Sequence, residues 1–144
     1  MHADQLNKCL RSELSAVETY NQALEKERKA SGHETDFQQL ASILNDHQQA
    51  ASQIEAQIQS LGGTPVHDSG AWGTWSKLVM GTAKLLGDKA AIKALKEGEE
   101  SGLKEYQDLL ADTTTPREAT SLCDSLMAKQ QMHIRTLDNL MARL

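Results

Sequence analysis

Glu13-Leu14-Ser15-Ala16-Val17-Glu18-Thr19-Tyr20 and Glu99-Glu100-Ser101-Gly102-Leu103-Lys104-Glu105-Tyr106 carry one pattern, a Glu followed seven residues later by a Tyr. Seven residues are about two helical turns, so each Glu shares a helix face with its Tyr. Outward from the first stretch, the apolar positions are Leu6, Leu10, Val17, Tyr20 and Leu24, with Glu13 interrupting them. The spacings of 4, 3, 4, 3 and 4 are those of a bundle helix. A carboxylate on such a stripe is unfavourable unless a metal, a cation or a hydrogen-bond network pairs it.

The same reading extends along the chain. Ala, Gln, Glu, Lys and Leu dominate long segments that no Pro interrupts, and no run alternates β-branched residues. The fold class is therefore all-α. Helices are expected over residues 3–30, 34–61, 88–111 and 116–143. Ser31-Gly32 stops the first, with Gly32 suited to the position after the cap. The second carries Phe37, Leu40, Leu44, His47, Ala51, Ile54, Ile58 and Leu61, and Gly62-Gly63 and Pro65 end it. Asp88 is an N-cap for the third, which carries Ile92, Leu95, Glu99, Gly102/Leu103, Tyr106 and Leu110. Thr115-Pro116-Arg117-Glu118 reads as a capping box, with Thr115 at N-cap, Pro116 at N1 and Glu118 at N3. The fourth helix carries Leu122, Leu126, Gln130, His133, Leu137, Leu140 and Leu144.

Two short links make two antiparallel hairpins. Residues 62–87 between them hold most of the glycines, Pro65, Trp72 and Trp75, and suit a long crossover with a short helix around 74–86. Hairpin, crossover and hairpin give an up-down-down-up four-helix bundle over 1–144, one domain. Trp72 and Trp75 are expected as buried packing, with a ligand cleft as the alternative.

Each long helix places one polar residue mid-stripe: Glu13, His47, Glu99 and His133. Meeting at one level, two carboxylates and two imidazoles would hold a divalent ion, iron or manganese, with zinc as an alternative. The metal-free alternative is two buried ion pairs, Glu13–His133 and Glu99–His47, that set helix register. A full dinuclear centre of this class takes a Glu from two helices and Glu-x-x-His from the other two. Here the corresponding places hold His47 and Ala50 on the second helix and Gln130 and His133 on the fourth. Two bridging carboxylates are missing, so the set could hold one ion, or two weakly with water completing the shells.

Tyr20 and Tyr106 lie about 10 Å along the axis from their own Glu, which makes them core tyrosines with a bonded hydroxyl. Glu18, Glu97, Glu100 and Glu105 fall off the stripes, and Asp46 points away from the stripe beside His47. Asp36, His67 and Asp68 read as surface, and Met127, Met132 and Met141 as gap-filling core or boundary residues. Cys9 and Cys123 form neither a metal motif nor a disulfide framework and read as semi-buried thiols.

The bulk numbers narrow the function. The 144 residues carry a net charge of −5 and only 3% aromatics, which argues against nucleic acid as a partner. No segment is apolar enough to span a bilayer and none looks like a signal h-region, so the expected location is cytoplasmic. A long bundle with an apolar flank is expected to form a homo-oligomer, most simply a dimer.

A resemblance rests on particular residues. Leu6-Asn7-x-x-Leu10-x-x-Glu13-Leu14-x-Ala16-x-x-x-Tyr20 resembles the first helix of bacterioferritin-type chains. Leu61-Gly62-Gly63-Thr64-Pro65, then Trp75, Leu85-Leu86-Gly87-Asp88, Gly98-Glu99-Glu100 and Tyr106, is similar to a bacterial family in the ferritin-like superfamily, the domain of unknown function two-three-eight-three. The resemblance covers essentially the whole chain. It implies a ferritin-like bundle with a metal site built from Glu13, His47, Glu99 and His133, in metal handling or, by analogy alone, a stress response. The metal-free structural or interaction bundle stays open. No residue is assigned a catalytic role; were there an activity, it would be metal-dependent redox chemistry.

Overall fold

A computed structural model of the chain describes residues 2–27, 34–69 and 86–144, together with Lys77, Val79 and Gly81. The long helices are α1 (His2–Glu27), α2 (Glu34–Ser60), α3 (Lys89–Ala111) and α4 (Arg117–Ala142). No strand occurs among the described residues. The expected stop at Ser31-Gly32 and both tryptophans lie outside them.

The directions follow from contacts at the helix ends. Gln5, near the start of α1, donates to Glu105 near the end of α3. At the other end of α1, the Glu27 carboxylate accepts the Leu86 N–H just ahead of α3, at 2.7 Å. Thus α1 and α3 are antiparallel. Asp36 at the start of α2 pairs with Arg143 just past α4, at 2.8 Å, so α2 and α4 are antiparallel too. The neighbouring pairs are α1–α2, α3–α4, α1–α3 and α2–α4, with α2–α4 the loosest seam.

The crossover starts and ends at opposite ends of α1. Asn7 donates to Thr64 O at 3.0 Å and accepts from Val66 N at 2.9 Å. Further along, Asp68 meets Arg11 and Ser69 meets Glu18, before Leu86 reaches Glu27. About 20 residues of α1 separate these anchors, roughly 30 Å. The link therefore runs the length of the bundle and forces up-down-down-up order. Within it Lys77 and Val79 are helical, and Gly81 N–H bonds Lys77 O at 3.0 Å. The rest of the expected short helix lies outside the described residues.

Local chemistry sets the ends. Gly62 takes φ +78°, where a side chain would be strained, and its N–H bonds Gln59 O while Gly63 N–H bonds Ile58 O. This double bond closes α2 one residue before the expected 61. A Cβ on Gly63 would lie 2.8 Å from Ala3 Cβ, so the turn also lets the chain pass close to α1. Asp88 caps α3 by accepting Ala91 N–H at 3.1 Å, as its position predicts. The capping box before α4 does not form. Pro116 is extended and occupies the cap position without a side-chain bond. Thr115 Oγ1 donates to Leu109 O instead, a carbonyl at the end of α3 that also accepts the Asp112 N–H.

The apolar core is in two parts with a polar layer between them. At one end Tyr20, Leu24, Leu40, Ile43, Ile92, Leu95, Leu137 and Leu140 pack with Val79 and Leu86 of the crossover. At the other, Leu6, Leu10, Ile54, Ile58, Tyr106, Leu109 and Leu126 enclose Cys9 and Cys123. Each fully buried Leu or Ile contributes about 1.5–3 kcal/mol of transfer free energy. The two thiols are fully buried rather than half-buried, and burial pushes both well up, Cys123 to about 12, so both stay protonated. Three expected core positions are exposed instead: Leu61 past the last regular turn, Leu144 beyond α4, and Met132 on the outer side of α4.

Candidate metal centre

The polar layer holds Glu13, His47, Glu99, His133 and Gln130, each at most 4% exposed. The sequence-predicted four thus do lie at one level, one per helix. They are not equivalent, however, because Glu99 stands in the middle.

Glu99 Oε2 faces His47 Nε2 at 2.7 Å, and Glu99 Oε1 faces His133 Nδ1 at 3.0 Å. The two imidazole rings flank this carboxylate with centroids 4.8 Å apart. Each imidazole is then held from behind by another carboxylate. Glu13 Oε2 lies 2.6 Å from His47 Nδ1, and Asp46 Oδ2 lies 2.9 Å from His133 Nε2. The chain of contacts runs Glu13, His47, Glu99, His133, Asp46, with Lys129 Nζ 3.9 Å from Asp46 at the solvent end.

Two tyrosines complete the layer. Tyr20 OH donates to Glu99 Oε2 at 2.9 Å, and Tyr106 OH donates to Glu13 Oε1 at 2.6 Å. Each tyrosine serves the carboxylate of the other stretch. Gln130 Nε2 donates to the Glu99 backbone carbonyl at 3.0 Å. The amide fits only because residue 102 is Gly: a Cβ there would lie 2.6 Å from Gln130 Nε2 and 3.0 Å from Ser12 Oγ.

The electrostatics follow from burial opposed by close charge. For His47, burial alone lowers the imidazole pKa, but Glu99 and Glu13 outweigh it and raise the value well above 6.5. Its two ring N–H groups therefore donate to two carboxylates. For Glu99, burial works upward, while the charge on His47 and the bonds from His133 and His47 bring the carboxyl down to about 2. Burial, then the nearby Glu99, raises the Tyr20 phenol; burial and Glu13 do the same for Tyr106. Both phenols therefore stay protonated as donors.

Of the two ion pairs expected from the sequence, Glu99–His47 is present and Glu13–His133 is not. His133 pairs with Glu99 and Asp46 in its place. The physical reason is that α1 and α4 lie diagonally across the bundle, with the Glu99 carboxylate of α3 reaching His133 first. Asp46 is a correction: it turns toward α4 rather than away from the site. The signal lay in Gln39, Ile43 and Asp46, a second stripe on α2 at helical spacing that faces α4.

His47, Glu99 and His133 each present a ligand atom, all within 4.8 Å of one another. These three residues would hold one ion, which would take the place of the protons now shared between them. Glu13 contributes by holding His47 Nδ1, which leaves Nε2 directed at Glu99. Orientation of this kind is what a carboxylate behind a ligand His supplies. The donor set fits one divalent ion. It does not fit two: Ala50 is buried among apolar side chains and Gln130 donates to a backbone carbonyl, where two bridging carboxylates would be needed.

The family model described as "Domain of unknown function (DUF2383)" matches residues 1–112. No curated protein matches. Among solved structures, the chain is similar to a dodecameric thioferritin, the bacterioferritin-related protein from Bacteroides fragilis. The TM-score is 0.78 at 17% identity, over 99% of this chain and 84% of that one. It is also similar to a ferritin-like, diiron-carboxylate protein from Bacillus anthracis str. Ames, with a TM-score of 0.74 at 21% identity over 97% and 94%. At these identities the likeness establishes the ferritin-like four-helix-bundle fold.

Proposed function

We propose that this chain, which belongs to the DUF2383 family, binds a single divalent metal ion, iron or manganese with zinc as an alternative, at the centre of its bundle. The ligands are Glu99, His47 and His133, while Glu13, expected as a fourth ligand, holds His47 from behind. The observation that carries this reading is the convergence of His47 Nε2, His133 Nδ1 and the Glu99 carboxylate in a layer sealed by apolar residues on both sides. Carboxylate and imidazole together select hard-to-borderline ions. A bound ion would supply charge, and with iron or manganese one-electron redox capacity. The chain's residues hold His47 and His133 in orientation, keep water out, and keep Tyr20 and Tyr106 protonated beside the carboxylates. Metal handling is the role this arrangement suits; a part in stress response rests on analogy with the fold.

A second reading has its own observation. Both ring nitrogens of His47 and of His133 already face carboxylates, so the layer is fully paired without a metal. In that reading the protein is a structural or interaction bundle whose buried network sets helix register. Elemental analysis of protein purified without chelators, beside Glu99→Ala, separates the two. Near-stoichiometric metal in the wild type and little in the variant supports the metal centre. Equal metal in both, or trace amounts in both, rejects it.

The same reading takes residues 1–144 as one ferritin-like domain, cytoplasmic and a homo-oligomer, with a dimer the simplest assembly. The Bacteroides fragilis relative is a dodecamer, so sedimentation should be read for both states. Among the described residues no helix is long and apolar enough to cross a membrane.

A further inference from the structure

The centre is sealed on nearly every side. Glu13, His47, Glu99, Tyr20 and Tyr106 are at most 3% exposed, and the two apolar clusters close the bundle above and below. An ion of any kind needs a way in. The loosest helix seam, α2–α4, holds a cavity of about 250 Å³ whose lining includes Asp46 and His133, both members of the contact chain. Ser42 and Thr136 stand on opposite helices in the same lining.

The exposure of the side chains is graded along this line. Lys129 is 45% exposed, Asp46 30%, His133 6% and Glu99 fully buried. A carboxylate thus sits at the boundary between the groove and the buried imidazole. On its outer oxygen lies Lys129 at 3.9 Å, and on its inner oxygen His133 at 2.9 Å.

Resting on the metal-binding reading, we propose that the α2–α4 groove is the route by which a divalent cation reaches the centre. Asp46 is the carboxylate that first takes the ion, and Lys129 is the basic group the ion displaces. The net charge of −5 favours approach of cations in general. The groove focuses that approach on a carboxylate that touches a ligand imidazole. Lys129 offsets the focusing, so the rate of uptake is set at this pair while the affinity is set deeper, at Glu99 and the two histidines. Asp46 is therefore a positioning and uptake residue.

The test uses Co²⁺ as a spectroscopic probe, with the visible absorption of the bound ion followed by stopped flow and the final stoichiometry by titration. Thr136→Trp fills the groove from α4, and Ser42→Trp does so from α2 should the first variant fold poorly. Gln107→Trp on the exposed side of α3 is the control. The expected result is severalfold slower uptake with a groove Trp and an unchanged final spectrum and stoichiometry, while the control behaves as wild type. Lys129→Glu should speed uptake by about tenfold at low salt, the lower end of what charged clefts give, and lose the gain at high salt. Uptake at the wild-type rate in both groove variants overturns the route but leaves the metal centre standing. Failure of the wild type to bind Co²⁺ at all overturns the metal centre itself, and the route with it.

Discussion

The phenol of Tyr20 on α1 donates to Glu99 on α3 at 2.9 Å, the Glu of the other repeated stretch rather than its own. Tyr106 on α3 returns the same bond to Glu13 on α1 at 2.6 Å. A Glu and a Tyr seven residues apart cannot meet on one helix, because about 10 Å of rise separates them. Across the α1–α3 seam each Tyr reaches the opposite Glu instead. The repeat is thus a reciprocal clamp, and each buried carboxylate gains a donor that burial keeps protonated.

Removing one hydroxyl tests the clamp. Tyr20→Phe keeps the ring that stacks on His47 with centroids 5.6 Å apart and removes only the donor to Glu99. A hydrogen bond to a charged group contributes about 1.5–3 kcal/mol. Urea unfolding should show a loss of that order. A variant as stable as the wild type would mean that the phenol bond adds nothing to the network.

Glu99 should matter more than either tyrosine. It accepts from Tyr20 and faces both histidines, so Glu99→Gln leaves His47 with one fewer anion in a buried layer. Breaking a buried charged pair from one side costs about 3–5 kcal/mol. The expected result is a loss of that size in denaturant titration, together with loss of metal. Near-wild-type stability would show that the buried charge is compensated elsewhere.

The pH dependence of the metal-free protein has two arms. The folded Glu99 carboxyl is held at about 2, below its ordinary 4.5, so its contribution is present above 4.5 and is lost as pH falls toward 2. The folded His47 value is raised above 6.5, so its contribution is fully present below 6.5 and is lost as pH climbs through the raised value. The network is therefore strongest between 4.5 and 6.5. Thermal unfolding in chelator should show Tm falling on both sides, with the alkaline arm flattened in His47→Gln. Metal affinity should move the other way and rise with pH, since an ion competes with the His47 protons. An alkaline arm that survives unchanged in His47→Gln would assign it to another group.

Gly102 and Gln130 should be coupled in sign. Gly102→Ala gains helix propensity of about 1 kcal/mol but drives a Cβ to 2.6 Å from the Gln130 amide. Displacing that amide from the Glu99 carbonyl in a tight layer costs about 1–3 kcal/mol, so the single variant should be less stable. In a Gln130→Ala background the closest clash is gone and only Ser12 Oγ at 3.0 Å remains, so Gly102→Ala should be far less costly there and gain at most about 1 kcal/mol. A double-mutant cycle in chemical denaturation checks this; simple additivity would rule out the contact as the reason for glycine here.

Much of the fold is legible along the chain because it depends on local periodicity. The stripes through Leu6–Leu24, Leu40–Ile58, Ile92–Tyr106 and Leu126–Leu140 each repeat at helical spacing, and short links against one long link order the helices. Local signals misled where two elements compete for one group. Thr115 reads as a cap for α4, yet its hydroxyl goes to the Leu109 carbonyl at the end of α3. Leu144 keeps the period of its helix but lies where no neighbour covers it, and Met132, off that stripe, faces outward.

The sequence alone therefore determined the all-α class, the hairpin–crossover–hairpin order and a level at which Glu13, His47, Glu99 and His133 meet. All of these follow from positions along single helices. Only the tertiary structure decided who pairs with whom. Which helices are diagonal, and how far each side chain reaches across the gap, put Glu99 between the two histidines, brought Asp46 in from a second face of α2 and crossed Tyr20 with Tyr106. Those choices depend on distances between helices, and a periodic pattern records angle and height on one helix but not the distance to another.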